Sequence, residues 1–336
     1  MASKVRWAVV GTGGIGRRTA GDLRHCESAE IVAVASRNQE TADAFAAEWG
    51  IEHAFGDYRQ LCSSADVDAV YIGTPHSTHF AYAREALSAG KHVLCEKPLT
   101  MTSDEARELG RVAADNGVFL MEAMWMKFSP AMLRAVELIQ DGIIGEPRFI
   151  QAGLGYPVPA DGPARFWDAA LGGGALYDMG VYMVALAHLF LGRPESISAA
   201  GCMRADGVDL HDAITLEYES GALAQFATSI TCFMPPRGWI GGAKGSIDFG
   251  ERLFSPESMR IVTGTPPTPP TVEDVVFTQE GAGYVPMFRA VNERILAGET
   301  EHPLHPISAT VDILETMERI RERMSEHRDA SVHAPA

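Results

Sequence analysis

The sequence is poor in cysteine, aromatic residues and basic charge, and it has no long apolar run. Its five cysteines, Cys26, Cys62, Cys95, Cys202 and Cys232, are an odd number, widely scattered, with no CxxC pair. That argues against a disulfide framework or a zinc site and makes a reducing compartment the expectation. Lys and Arg total 28 against 44 Asp and Glu, a formal charge of −16. A chain this acidic is repelled by nucleic-acid phosphates and by anionic membrane surfaces, and no run of basic residues offsets that repulsion. No stretch approaches the ~18 apolar residues of a bilayer span. The best run, Val184 to Leu191, is short and contains His188. The N-terminus MASKVRWAVVGTGGIG lacks a long apolar segment and a small-residue cleavage site, so it does not read as a secretory signal. A cytoplasmic protein with no nucleic-acid or membrane partner is expected.

What is present is an ordinary globular composition, 46% hydrophobic and 21% charged, over 336 residues, a length that suggests two domains. Residues 4–10, 31–36, 68–75 and 91–98 are β-rich, and helix-like segments separate them. TSDEARELGRVAADNG opens with a Ser or Thr cap and closes on Gly117. Such alternation predicts right-handed βαβ units, hence a doubly wound parallel sheet of the Rossmann type over residues 1–124. From residue 125 to 336 the texture changes. Strands come in runs (SISAAGCM, DAITLEYESGALAQFATSI, GSIDFG, MRIVTG, VEDVVFTQ), interrupted by an apolar helix after Gly172-Gly173-Gly174. This predicts an α+β domain with a large, mostly antiparallel open sheet, whose last helix can pack back on the first domain. The terminal HAPA reads as frayed.

Gly11, Gly13 and Gly16 form G-x-G-x-x-G, with Gly14 and Ile15 inside it, directly after one strand and before one helix. The first glycine permits the turn, the second lets backbone approach a pyrophosphate, and the third lets helix and strand pack closely. The helix N-terminus offers free N–H groups to phosphate. At the end of the second strand NAD binders place a carboxylate for the ribose 2′-OH. Here Ser36 and Arg37 stand there, and a hydroxyl and a guanidinium suit a 2′-phosphate. The expected cofactor is therefore NADP rather than NAD.

Glu96-Lys97-Pro98 ends a strand, where doubly wound folds put ligands. Downstream, Asp178 and Tyr182 lie four apart, a spacing that puts both on one face of a helix. His76 and His79 read as loop or cap hydrogen-bonding groups rather than metal ligands, since no carboxylate or cysteine completes a set. His302 and His305, in HPLHP, read as structural. Arg165 and Trp167, in RFWD, fit a sugar contact or a packing role equally. No metal site is expected.

In combination, the N-terminal glycines, TPHSTH (74–79), EKP (96–98), GGGALYDMGVY and GGAKGSIDF resemble the glucose–fructose oxidoreductase/inositol dehydrogenase (Gfo/Idh/MocA) family through nearly the whole chain. MEAMWMKFSP (121–130) and the tyrosine of YDMGVY look most like its NADP-linked dihydrodiol and D-xylose dehydrogenase branch. Inositol dehydrogenases typically carry His where Tyr182 stands. The resemblance implies that Lys97 reaches the nicotinamide ribose and a substrate hydroxyl, that Glu96 contacts the cofactor, and that Pro98 follows a cis peptide. It implies that Thr74, Pro75 and His76, in the loop that ends at His79, run past the cofactor. Asp178 and Tyr182 match catalytic positions, and Trp125 and Arg148 match pocket positions. Leu154, Tyr156, Arg165 and Trp167 are the positions expected to set selectivity. Members commonly form homodimers or homotetramers through the open face of the second sheet.

The chemistry agrees with that implication. Oxidising a secondary alcohol needs hydride transfer to nicotinamide C4 and removal of the hydroxyl proton. A free phenol titrates near ~10, and a nearby ammonium favours its phenolate. Tyr182 is therefore expected as acid/base, Lys97 as its electrostatic partner from the other domain, and Asp178 as an orienter. Lys97 itself transferring the proton stays open. The expected enzyme is an NADP(H)-dependent oxidoreductase acting on a sugar, polyol or cyclic diol. The rivals are an NAD-linked inositol-type or sugar-nucleotide dehydrogenase, an enzyme that shuttles hydride between two sugars on a retained nicotinamide, and a non-catalytic NADP-binding regulator.

Overall fold

The computed structural model describes residues 4–326. The HAPA segment lies outside them. The chain begins with β1 (Val5–Val10), α1 (Gly14–Leu23), β2 (Ala29–Ala35), α2 (Gln39–Trp49), β3 (His53–Phe55), α3 (Tyr58–Cys62), β4 (Ala69–Ile72), α4 (His76–Ser88), β5 (His92–Cys95), α5 (Ser103–Asn116) and β6 (Leu120–Glu122). Among the described residues these six strands pair in the order β3-β2-β1-β4-β5-β6, all parallel. β1 and β4 are buried almost throughout, as strands covered on both faces must be, which is why they read as apolar runs rather than alternating ones. The strand order reverses between β1 and β4, and the crevice beyond their C-terminal ends is where such sheets take ligands. Local signals bound the helices. Asn38 caps α2 and Gly50 closes it in the left-handed region. Thr102 and Glu105 form a reciprocal capping box on α5, and Gly117 closes it.

The next elements are α6 (Pro130–Gln140), β7 (Pro147–Gly155), α7 (Val181–Leu191), β8 (Ser196–Met203), β9 (Asp209–Glu217), β10 (Leu223–Ser229), β11 (Met234–Gly242), β12 (Gly245–Asp248), β13 (Ser258–Thr263) and β14 (Thr271–Val276). They build a sheet of order β14-β13-β12-β11-β7-β10-β9-β8. Its pairings are antiparallel except β7 with β10, which is parallel. The fold class is the expected one, with strands that the sequence pattern hides. β11 (MPPRGWIGG) carries Pro235 and Pro236, residues that normally break a central strand. The register against β7 jumps from Met234 to Arg237, so both prolines fall in an irregularity where no ladder N–H is required.

The segment Ala169–Leu191 has the length and mean hydropathy (1.4) of a membrane span, but 78% of that window is buried inside the protein. Val181 through Ala187 are all buried, as the core helix of a globular unit is.

The described residues close with α8 (Val285–Leu296) and α9 (Ile307–Glu326). Two compact units result. The first runs to Phe128 and includes Gln279–Val311; the second is Ser129–Thr278 with the residues from Asp312 on. In the first, the buried Trp7 indole donates to Asn292 Oδ1 (2.9 Å), and the Asp22 carboxylate accepts from the amides of Ala282 and Tyr284 (2.7 Å each).

Candidate active site

In the first unit the glycine loop sits at the end of β1. Gly11 has φ +103°, and a Cβ there would lie 2.6 Å from the Gly73 carbonyl oxygen, so the β1 and β4 ends approach too closely for any side chain. A Cβ on Gly16 would lie 2.0 Å from the Gly11 carbonyl oxygen. Gly13 and Gly14 differ: both are exposed at the start of α1, and a Cβ on either would meet no protein atom within 4 Å. Ile15, half-buried, follows them. The loop is thus closed towards the protein and bare towards solvent at a helix N-terminus, a cradle that fits a dinucleotide pyrophosphate. Ser36, half-buried at the end of β2, lies with its hydroxyl 3.2 Å from the Thr12 hydroxyl, and Arg37 after it is exposed. Thr12 was not singled out by the sequence pattern; its place inside the glycine motif is the signal that points to it.

After β4, Thr74 shares a hydroxyl–hydroxyl contact of 2.7 Å with Thr78, Pro75 is exposed, and His76 is buried at the start of α4. His79 is fully buried. Its Nδ1 and Nε2 lie 2.8 Å from the Pro98 carbonyl and 2.9 Å from the Thr74 carbonyl. Its ring lies buried between the two loops, with both nitrogens facing protein carbonyls. Burial pushes its pKa down, towards a neutral ring whose single N–H can donate to only one of these two carbonyls. The described residues hold no group of three or more His, Cys, Asp or Glu placed to bind a metal.

Beyond β5, the peptide Lys97–Pro98 is cis. Glu96 is turned into the unit, accepting the Tyr71 hydroxyl at 2.5 Å and the Lys97 amide at 3.1 Å. Burial raises its pKa, against the lowering effects of Lys97 and Tyr71. Lys97 is 8% exposed. Trp125 is also buried, stacked on Tyr284 with ring centroids 4.9 Å apart.

In the second unit Asp178 and Tyr182 do not share one regular α-helix. Leu176–Gly180 forms a π-helical turn and Tyr182 is the second residue of α7. Single π turns inside helices are frequent at functional sites. Asp178 accepts from the Tyr156 hydroxyl (3.0 Å) and the Arg165 guanidinium (2.8 Å). Leu154, Tyr156 and Trp167 pack on one apolar cluster with Val158, Phe166, Ala175 and Met179. The Trp167 indole donates to the Pro159 carbonyl (2.9 Å), and the Arg165 guanidinium lies 3.8 Å over the Phe166 ring. Tyr182 is 8% exposed and stacks on Phe254 at 4.2 Å. The structure therefore gathers Leu154, Tyr156, Arg165, Trp167 and Asp178. Arg148 is not gathered: it stands exposed near the other end of β7, six residues or ~20 Å of strand from Leu154.

Sequence reasoning missed Asp209, which supports this cluster. Fully buried on β9, it accepts the Leu176 amide at 2.6 Å, the first residue of the π turn. Gly174, at φ +125°, must be glycine because a Cβ would lie 2.2 Å from Asp209 Oδ1. Two buried Asp in one strand, Asp209 and Asp212, were the available signal, since strands disfavour that residue.

Comparison with known proteins agrees with this layout. Residues 5–124 match the model of an oxidoreductase family with an NAD-binding Rossmann fold, and residues 132–248 match the GFO/IDH/MocA C-terminal domain. Trans-1,2-dihydrobenzene-1,2-diol dehydrogenase of Mus musculus is 33% identical over 326 residues, covering 95% of this chain and 96% of that protein. The Homo sapiens enzyme of the same name is 33% identical over 328 residues, with 95% and 96% covered. Among solved structures, a 3-ketoreductase from Actinomadura kijaniata in complex with NADP and TDP-benzene superposes with a TM-score of 0.85 at 28% identity, covering 95% of this chain and 98% of that one. Matched in both parts by its models and along 95% of its length by relatives one-third identical, the chain belongs to the Gfo/Idh/MocA family of oxidoreductases.

Proposed function

We propose that the protein is an NADP(H)-dependent oxidoreductase that interconverts a secondary alcohol and its carbonyl on a sugar, polyol or cyclic diol. The observation that carries the cofactor assignment is the end of β2. A hydroxyl tied to the glycine loop and an exposed guanidinium occupy the place where a 2′-OH would need a carboxylate. When bound, the nicotinamide supplies the hydride acceptor or donor. Lys97 supplies positive charge that stabilises a developing alkoxide or polarises the carbonyl. Tyr182 exchanges the hydroxyl proton, and Asp178, its carboxylate aligned by Tyr156 and Arg165, orients the substrate. Similarity to dihydrodiol dehydrogenases, 33% identical over 95% of the chain, supports a hydroxylated carbon as the reacting centre. Exposed Val272 and Val276 on the edge strand β14 support association of two or more copies through the second sheet.

The test is NADP+ reduction across pentoses, hexoses, inositols and trans-1,2-dihydrobenzene-1,2-diol at neutral and alkaline pH. Tyr182→Phe and Lys97→Met should each keep NADPH binding yet cut kcat by ~10²–10⁴. Wild-type turnover by the phenylalanine variant removes Tyr182 from the mechanism. Tight NADPH binding with no turnover of any substrate leaves a nucleotide-binding regulator instead.

A further inference from the structure

The first unit contains a buried chain of polar side chains outside the residues assigned above. Glu122, at the end of β6, is 1% exposed. Its Oε1 accepts the backbone amide of Leu99 at 2.9 Å. Its Oε2 lies 2.8 Å from His305 Nε2 and accepts the Thr310 hydroxyl at 3.2 Å. On the far side of the imidazole, His305 Nδ1 lies 2.9 Å from the Lys127 ammonium. His305 is fully buried and Lys127 is 3% exposed.

Donor and acceptor counting fixes the polarity of this chain. The Lys127 ammonium can only donate, so Nδ1 accepts; Nε2 then carries the hydrogen and donates to the carboxylate. The titration preferences agree. Burial and the Lys127 charge push His305 down to about 4, leaving it neutral. Burial lowers Lys127 to about 8, still protonated at neutral pH. Burial raises Glu122, but His305, the Leu99 amide and Lys127 outweigh it and hold the carboxyl below its ordinary range. A cation and an anion are thus joined through a neutral ring. The anion's other oxygen ends on a backbone amide two residues past Lys97.

That endpoint is the functional clue. The Lys97–Pro98–Leu99 segment has the His79 ring 2.8 Å from the Pro98 carbonyl on one side and is tied on the other by Glu122 at the Leu99 amide. A buried ion pair is a costly way to stabilise a fold, since apolar replacements often serve as well. It is an effective way to fix one backbone atom, because a charged acceptor shortens and strengthens the bond. We infer that Glu122, His305 and Lys127 form a positioning relay that sets the placement of Lys97 through the Leu99 amide. The relay rests on the catalytic role given to Lys97 under the proposed function and adds to it the residues that hold that lysine in register.

Two measurements test the relay, and the first needs no substrate. Glu122→Gln replaces the anionic acceptor by a weaker neutral one. Hydrogen exchange at the Leu99 amide, resolved by mass spectrometry, should accelerate at least ~10-fold while α2 amides keep their wild-type rates. Thr310→Val, which removes one bond to the same carboxylate and the 3.2 Å contact of that hydroxyl with His305 Nε2 but keeps the anion, should give a smaller acceleration at the same amide. Unchanged exchange at Leu99 in both variants, or equal acceleration in α2, overturns the relay. The second measurement is a cycle in kcat on whichever compound of the panel is oxidised. Glu122→Gln should lower kcat ~10–100-fold in the wild-type background and have no further effect in Lys97→Met. An equal loss in both backgrounds overturns action through Lys97 while leaving the lysine's own role intact. Full kcat in Lys97→Met alone overturns that role instead, and the exchange result still decides whether the relay holds the loop.

Discussion

The glycine loop makes a sharp prediction, because its glycines are required for different reasons. Gly16→Ala should damage the fold. Alanine in a helix interior gains about 1 kcal/mol over glycine. The added Cβ, however, would lie 2.0 Å from the Gly11 carbonyl oxygen, and contacts under 3.0 Å are essentially never tolerated. Loop and helix must separate by about 1 Å, and the obstructing atom is backbone rather than a flexible side-chain tip. Overpacking of this kind costs ~1–3 kcal/mol, and rigid backbone puts it at the upper end. The clash therefore wins by roughly 2 kcal/mol, a loss of ~4–8 °C in Tm for a unit of this size. Gly13→Ala should behave oppositely. Its φ of −76° suits alanine, its Cβ meets no protein atom, and losing glycine at an N-cap costs well under ~1 kcal/mol. That Cβ would instead occupy the approach of the pyrophosphate. Thermal unfolding should leave Gly13→Ala within ~2 °C of wild type, while a fluorescence titration shows NADPH binding weakened at least 10-fold, about 1.4 kcal/mol. Wild-type NADPH affinity in Gly13→Ala, or wild-type Tm in Gly16→Ala, refutes this division of labour.

Other expectations follow from single contacts. Arg37→Ala should lower the ratio of kcat/KM for NADP over that for NAD by ~10-fold or more, since one guanidinium contact to phosphate is lost; an unchanged ratio removes Arg37 from cofactor choice. Asp212 is raised well above the ordinary carboxylate range by burial and then by the Asp209 carboxyl beside it. The folded chain therefore holds a proton that the unfolded chain releases above ~4, so this stabilisation is present at low pH and fades as pH rises through the folded value. Asp212→Asn should raise Tm at pH 7–8 and flatten its decline from pH 5 upward; a decline as steep as wild type counts against the argument. Asn292→Leu strands the buried Trp7 indole N–H and should cost about 1–3 kcal/mol in chemical unfolding, whereas wild-type stability would show that the bond adds nothing.

Much of this architecture was legible in the sequence because its signals are local. Gly11, Gly13 and Gly16 between an apolar run and a helix mark a nucleotide loop, and Thr102 with Glu105 marks a helix start. What escaped is long-range or irregular. β3 and α3 are three and five residues long, too short for periodicity to register. β11 hides behind Pro235 and Pro236, whose tolerance depends on a register jump against a strand some eighty residues earlier. The four-residue spacing of Asp178 and Tyr182 suggested one regular helix, but Asp178 lies in a π turn whose first amide, that of Leu176, is held by Asp209 from β9, a partner distant in sequence. His305 reads as structural from HPLHP, and nothing nearby in sequence shows that it meets Glu122 and Lys127.

The return of Gln279–Val311 to the first unit has a consequence for biosynthesis. A nascent chain that has emerged only as far as Phe128 holds the six parallel strands but not α8, so the Trp7 indole and the Asp22 carboxylate await partners still to be translated. The first unit cannot complete its packing until residues 279–311 have been made. A fragment cut after residue 128 should aggregate where one carrying residues 279–311 on a linker does not.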